Sequence, residues 1–246
     1  MVFVKKGDTS FIIHFCVDNE WMCSGAYIDK HWILTTVACS MLLQMDTRIE
    51  AVASNATFSC IHRERRPVKS SFVYTLEYFS LDTDIAMVKI EEPFRRKLGV
   101  TQIEMSIYEV NSKTCSLFGL RKISSKVNYD KEPLKGFQSQ VLRSEECLKY
   151  YNIEPRFFIC LSKIPGAQVW NFPVVCEGAL EGFVVADDEE LLIALRLVVF
   201  YEWIRNQTNP KSLRSSSSSE SIFYARQYSV TVLPLAALFY KFENFR

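Results

Sequence analysis

Glycine is scarce in this sequence, with 8 in 246 residues against a usual share of roughly 7%. Tight loops and anion-cradling turns that rely on glycine's access to positive φ therefore have little material. Histidine is rarer still, at 3: His14, His31 and His62. No two cysteines form a C-x-x-C pair, so a zinc site lacks its usual ligands at their usual spacing. No metal or other cofactor is expected. Charge of one sign is missing too, since 29 basic and 28 acidic residues leave a net +1 and are interspersed. Without a basic field the chain has nothing to hold nucleic acid, and no acidic block suggests a solvating tail. Long apolar runs are absent as well. The stretch 230–240, broken by Pro234, falls far short of the about 20 residues a spanning helix needs. A lipid-anchor signal would finish on its apolar tail, whereas this chain finishes on the charged stretch from Lys241 to Arg246.

What is present is apolar mass. Hydrophobic residues make up 48% of the chain, enough for a sizeable core in one large all-β domain or two small ones. The cysteine count is even, at 8: Cys16, Cys23, Cys39, Cys60, Cys115, Cys147, Cys160 and Cys176. Spread over the chain, they suit a disulfide framework from an oxidising compartment; buried free thiols are the plainer alternative. Two glycosylation sequons, at Asn55 and Asn206, lean toward secretion. Residues 1–6 are too short and polar for a secretory leader, so a secreted chain would take its leader from outside this sequence.

Short β-rich runs separated by turn residues recur up to residue 190, among them Phe11–Phe15, Trp32–Leu34, Phe72–Tyr74, Ile85–Val88, Thr114–Leu117, Ser139–Leu142, Phe172–Cys176 and Gly182–Val185. This is the pattern of an antiparallel barrel or sandwich. Spacing near 3.6 then predicts a helix over Leu191–Arg205, and Ser144 reads as the N-cap of a short helix through Glu145. After Asn206 the composition changes. Five serines, 215–219, mark a solvated linker, so the expected division is a domain over 1–206 and a flexible Ser-rich linker and tail over 207–246. The apolar patch within that tail reads as an extra strand, a disordered end, or an interfacial or docking segment.

Three segments, in order, resemble the trypsin/chymotrypsin-like serine protease family. Residues 23–28 (CSGAYI) and 32–39 (WILTTVAC) are similar to the family's C-G-G-x-L-I and W-V-L-T-A-A-H-C. Residues 84–90 (DIAMVKI) look like D-I-A-L-x-K-L, and residues 172–183 (FPVVCEGALEGF) resemble G-P-L-V-C-x-G-x-L-x-G-I. Trp203-Ile204 sits where the family's terminal helix carries its W-I pair. The resemblance spans about residues 10–206. It implies an all-β fold of two antiparallel six-stranded barrels with a C-terminal helix. It also implies the pairs Cys23–Cys39, Cys147–Cys160 and Cys115–Cys176. Cys16 and Cys60 are then left over, on neighbouring loops of the first barrel, and are expected to pair.

The same resemblance places the catalytic triad at Ala38, Asp84 and Trp170. A methyl group takes no proton and an indole has no hydroxyl to activate. Asp84 alone has nothing to orient. The glycines of the family's G-D-S-G-G turn fall at Gln168, Asn171 and Phe172, and the aspartate that pairs with a freshly cut N-terminus falls at Val169. Neither His31 nor His62 is expected to supply the missing base, and the cluster 62–66 reads as a solvated loop or a docking surface. The resemblance therefore implies a non-catalytic, secreted protease homologue that binds a protein, such as an active protease or its substrate, as cofactor, decoy or adaptor. Two other readings stand beside it: a degenerate or truncated product with no specific role, and a hydrolase with displaced catalytic residues.

Overall fold

The computed structural model describes residues 9–44, 48–54, 58–61, 63–74, 85–95, 99–108, 113–121, 133–143, 145–146, 156–169 and 171–209. The chain divides into two units, Met1–Ser215 and Ser216–Arg246, and every described residue belongs to the first. The expected tail thus lies outside the described residues from position 210 onward.

Strand β1 (Ile12–Val17) is buried along almost its whole length, because both of its faces are covered. Ile13 and Phe15 point into one barrel, while Ile12 joins the core shared with the second. Asp18 and Asn19 turn the chain at φ 50° and 72°, the two successive positive angles that a two-residue hairpin turn requires. Strand β2 (Glu20–Asp29) then runs back antiparallel. Strands β3 (Trp32–Thr36), β4 (Glu50–Ala53), β5 (Arg65–Tyr74) and β6 (Ile85–Ile90) complete a closed barrel in the order β1-β2-β3-β6-β5-β4, with β4 pairing back onto β1. Helix α1 (Val37–Gln44) follows β3 directly.

The second half is built from β7 (Thr114–Arg121), β8 (Lys135–Gln140), β9 (Phe158–Ser162), β11 (Pro173–Cys176), β12 (Ala179–Asp187) and β13 (Leu191–Arg196), with a two-residue β10 (Ala167–Gln168) at one end. The sheet order is β10-β7-β11-β12-β13-β9, and β8 pairs with β7. A bridge between Val141 and Leu161 returns the end of β8 to β9, so this sheet also curls into a barrel. Helix α2 (Tyr201–Thr208) closes the unit. The all-β two-barrel architecture with a C-terminal helix is the one that the sequence implied.

The expected helix over Leu191–Arg205 is corrected. Its first part is strand β13, paired with both β12 and β9, and only the last part is helical, after a single 3-10 turn at Val198–Phe200. A strand buried on both faces carries an unbroken apolar run, and over six residues such a run has no period that separates it from a buried helix. Glu145 and Glu146 are helical, while Ser144, their expected N-cap, lies outside the described residues.

Three expected disulfides are present: Cys16–Cys60, Cys23–Cys39 and Cys115–Cys176. Cys160 is disulfide-bonded too, and its expected partner Cys147 lies outside the described residues. A core cluster of Ile12, Phe58, Phe118, Phe172, Phe183 and Phe200, among others, joins the barrels.

Candidate functional site

The end of β3 and the turn ahead of β11 meet between the barrels, with Thr36 of the one beside Asn171 of the other. Ala38 is the second residue of α1 and is half-buried. Its neighbour Cys39 ties the helix to β2 through Cys23. Thr36 starts the helix by placing its Oγ1 3.4 Å from the Cys39 N–H, which is N-capping geometry. Asp84 and Trp170 lie outside the described residues, but both neighbours of Trp170 are described. Val169 is fully buried in the second barrel's core. Asn171 is 4% exposed and has φ +61°, the left-handed region that asparagine tolerates better than most residues.

Across the gap, the Thr36 hydroxyl donates to Asn171 Oδ1 at 2.8 Å. Both residues are buried, so this bond works in a medium where an unmade hydrogen bond is costly. The other end of the Asn171 amide, Nδ2, is buried with no hydrogen-bond partner. The backbone of the turn is committed to its own barrel. Asn171 N–H donates to Val184 O at 2.9 Å, Phe172 N–H to Val169 O at 3.1 Å, and Val184 N–H to Phe172 O at 3.0 Å. Gln168 belongs to β10, opposite Leu120 of β7.

Phe172 turns the other way, into the first barrel. Its ring lies 5.6 Å from that of Phe58 and 6.2 Å from that of Trp21, and Trp21 packs edge-on against Phe58 at 5.2 Å. A large ring therefore stands at a position expected to be small, and Trp21 and Phe58 of the first barrel form an aromatic seat for it.

The other sequence candidates lie elsewhere. His31 precedes β3 and sits with Nδ1 3.4 Å from Ile90 O. The strand between it and Ala38 puts it roughly 17 Å away at about 3.3 Å per residue, too far to serve as a base there. His62 is outside the described residues. Two of the arginines after it are ion-paired: Arg65 with Glu50 at 2.6 Å, and Arg66 with Glu64. Residues 64–66 are therefore a charge-compensated seam at the start of β5. Asn206 lies half-buried on α2, and Asn55 is outside the described residues. Among the described residues no group of His, Cys, Asp or Glu gathers as it would to hold a metal. Nor is any helix there long and apolar enough to cross a membrane.

Sequence reasoning missed Thr36 and its bond to Asn171. The signal was there: a threonine stands where the motif has alanine, and an asparagine where it has glycine, so each adds the polar atom the other uses. It also missed His14 and Ser24, whose contact becomes visible only once β1 and β2 are paired.

Comparison with known proteins places this geometry. The family model described as Trypsin matches residues 3–182. Tonin of Rattus norvegicus is 24% identical over 217 residues, covering 77% of this chain and 82% of its own. Among solved structures, neuropsin, a serine protease expressed in the limbic system of mouse brain, superposes with a TM-score of 0.68 at 13% identity, covering 84% of this chain and 97% of its own. Kallikrein-related peptidase 10 gives 0.64 at 16% identity, over 87% and 100%.

Proposed function

Because the chain belongs to the trypsin family, we propose that it is a catalytically inactive member, a secreted serine protease homologue that works by binding another protein as cofactor, decoy or adaptor. The observation that carries this reading is Ala38. The residue at the base position ends in a methyl group, and losing either base or nucleophile from a triad of this kind costs about 10⁶ in turnover. The surroundings point the same way. The Phe172 ring, at a position that the motif gives to glycine, is buried in the interbarrel core. What remains is a rigid, disulfide-tied scaffold, on which loops supply recognition surface. Met22 and Met41, beside the two cysteines of the Cys23–Cys39 bond, are 37% and 44% exposed, and methionine is frequent at adaptable binding surfaces.

Secretion is part of the same proposal and follows from the disulfides. The decisive experiment expresses the chain through a secretory pathway, treats it with a fluorophosphonate probe for reactive serines, and assays it on peptide ester and amide substrates. No labelling and no turnover are expected. Stoichiometric labelling, abolished by an active-site inhibitor, would mean a displaced nucleophile and would end the proposal.

A further inference from the structure

The surroundings of the described methionines differ sharply. Met87 of β6 is fully buried in the core that joins the barrels, and Met105 packs against the same core. Met22 and Met41 are 37% and 44% exposed. They stand on either side of one covalent tie. Met22 precedes Cys23 on β2, and Met41 follows Cys39 by two residues on α1. The Cys23–Cys39 bond holds its two Cα atoms 5.8 Å apart, so the Cα atoms of the two methionines lie closer than about 17 Å at roughly 3.8 Å per step. Both cysteines are buried, which pins the backbone beneath the two thioethers while their tips stand in water. Neither methionine belongs to a core cluster or packs against one, so the fold does not draw on their apolar contacts.

We infer that Met22 and Met41 form a peroxide-reactive site, at which the folded chain is reversibly modified to methionine sulfoxide. This goes beyond the non-catalytic reading and does not depend on it. Thiolates are the sulfur groups that peroxide ordinarily consumes first. Among the described residues every cysteine is already in a disulfide, so no thiol there competes, and the exposed thioethers are the open sulfur. The step balances with hydrogen peroxide as the oxidant. A thioether sulfur gives an electron pair to one peroxide oxygen, the S–O bond forms as the O–O bond breaks, and the second oxygen leaves as water with both protons. Sulfur is oxidised by two electrons and peroxide is reduced by two. The new oxygen accepts hydrogen bonds from water, so a soft apolar surface becomes a polar one. A partner seated on these methionines would lose that contact, and reduction of the sulfoxides would restore it.

The test treats the full chain with hydrogen peroxide, quenches with catalase at intervals, and maps the added oxygen by peptide mass spectrometry. Met22 and Met41 should be oxidised faster than Met87 by about tenfold or more, because the buried sulfur is reached only through opening of the core. The modified chain should keep the urea midpoint of the untreated one. A mixture of the two stereospecific methionine sulfoxide reductases should remove both oxygens. The variant carrying Met22→Leu and Met41→Leu keeps the apolar volume and should leave Met87 as slow as before. Oxidation of Met87 at a rate comparable to the exposed pair would overturn the inference. So would a lowered urea midpoint of the modified chain, since the site would then belong to the fold rather than to its surface. Sulfoxides at Met22 and Met41 that the reductases cannot reach in the folded chain would refute the reversibility.

Discussion

Thr36 and Asn171 reach across the boundary between the two barrels, the hydroxyl of one donating at 2.8 Å to the side-chain carbonyl of the other. The bond joins the residue that starts α1 to the turn ahead of β11, and it replaces small side chains at both motif positions. Thr36→Val keeps the shape and removes the hydroxyl. It takes away the α1 cap, worth about 1 kcal/mol, and leaves Asn171 Oδ1 buried and unmet, at about 1–3 kcal/mol. A loss of roughly 2–4 kcal/mol is expected in urea unfolding, with Thr36→Ser near wild type. Asn171→Gly should cost less, because it suits φ +61° and also removes the unpartnered Nδ2.

Glycine is scarce, so the positions that keep it are informative. A Cβ on Gly182 would stand 2.2 Å from Leu195 O, within the β12–β13 pair, and a backbone oxygen cannot swing aside. Gly182→Ala should destabilise by about 3 kcal/mol or more through forced strand separation. At Gly178 the same methyl meets open space, and only φ +86° opposes it, at about 1–2 kcal/mol. Thermal unfolding of the two variants should therefore separate steric from conformational cost.

The contrast between what was legible and what was not follows the range of the interactions. Trp32–Thr36, Ile85–Ile90 and Pro173–Cys176 are strands by local composition, and their motifs fixed the order of the two barrels. The leftover pair Cys16–Cys60 followed once the other cysteines were matched. Leu191–Arg196 was misread because burial on both faces erases strand alternation. Thr36–Asn171 spans 135 residues, and no local pattern reports a bond that depends on how two barrels dock. His14 was hidden in the same way: along β1 it reads as one polar residue in an apolar run, and its partner Ser24 lies on the next strand.

Tyr27 sets a prediction at the alkaline end. Burial pushes its hydroxyl's pKa above the usual value of 10.0, and the nearby Asp29 carboxylate adds to the rise; the hydroxyl donates to Lys30 O at 2.9 Å. A phenol whose folded pKa is raised stays protonated while the unfolded chain loses its proton. Its contribution is thus fully present below about pH 10 and lost as pH climbs toward the folded value. Tyr27→Phe should cost about 1 kcal/mol at pH 8 through the missing hydrogen bond. It should also flatten the fall in stability between pH 9.5 and 11, measured by urea midpoints. An unchanged alkaline slope would mean that the phenol does not titrate with unfolding.

Restoring the two missing catalytic side chains tests how deep the loss of chemistry runs. Ala38→His with Trp170→Ser supplies a base and a hydroxyl, and Asp84 is already in the sequence as the orienting carboxylate. The turn, however, is shaped by Asn171 bonded to Thr36 and by Phe172 seated between Trp21 and Phe58. Oxyanion donors and a reachable nucleophile each contribute about 10²–10³ or more to turnover. The double variant should therefore stay without measurable hydrolysis of an activated ester. Adding Thr36→Ala, Asn171→Gly and Phe172→Gly should be the step at which activity first appears, at a cost of several kcal/mol in stability from the emptied aromatic seat. Turnover by the double variant alone would place the defect in the two side chains only, and would make the rebuilt turn irrelevant to catalysis.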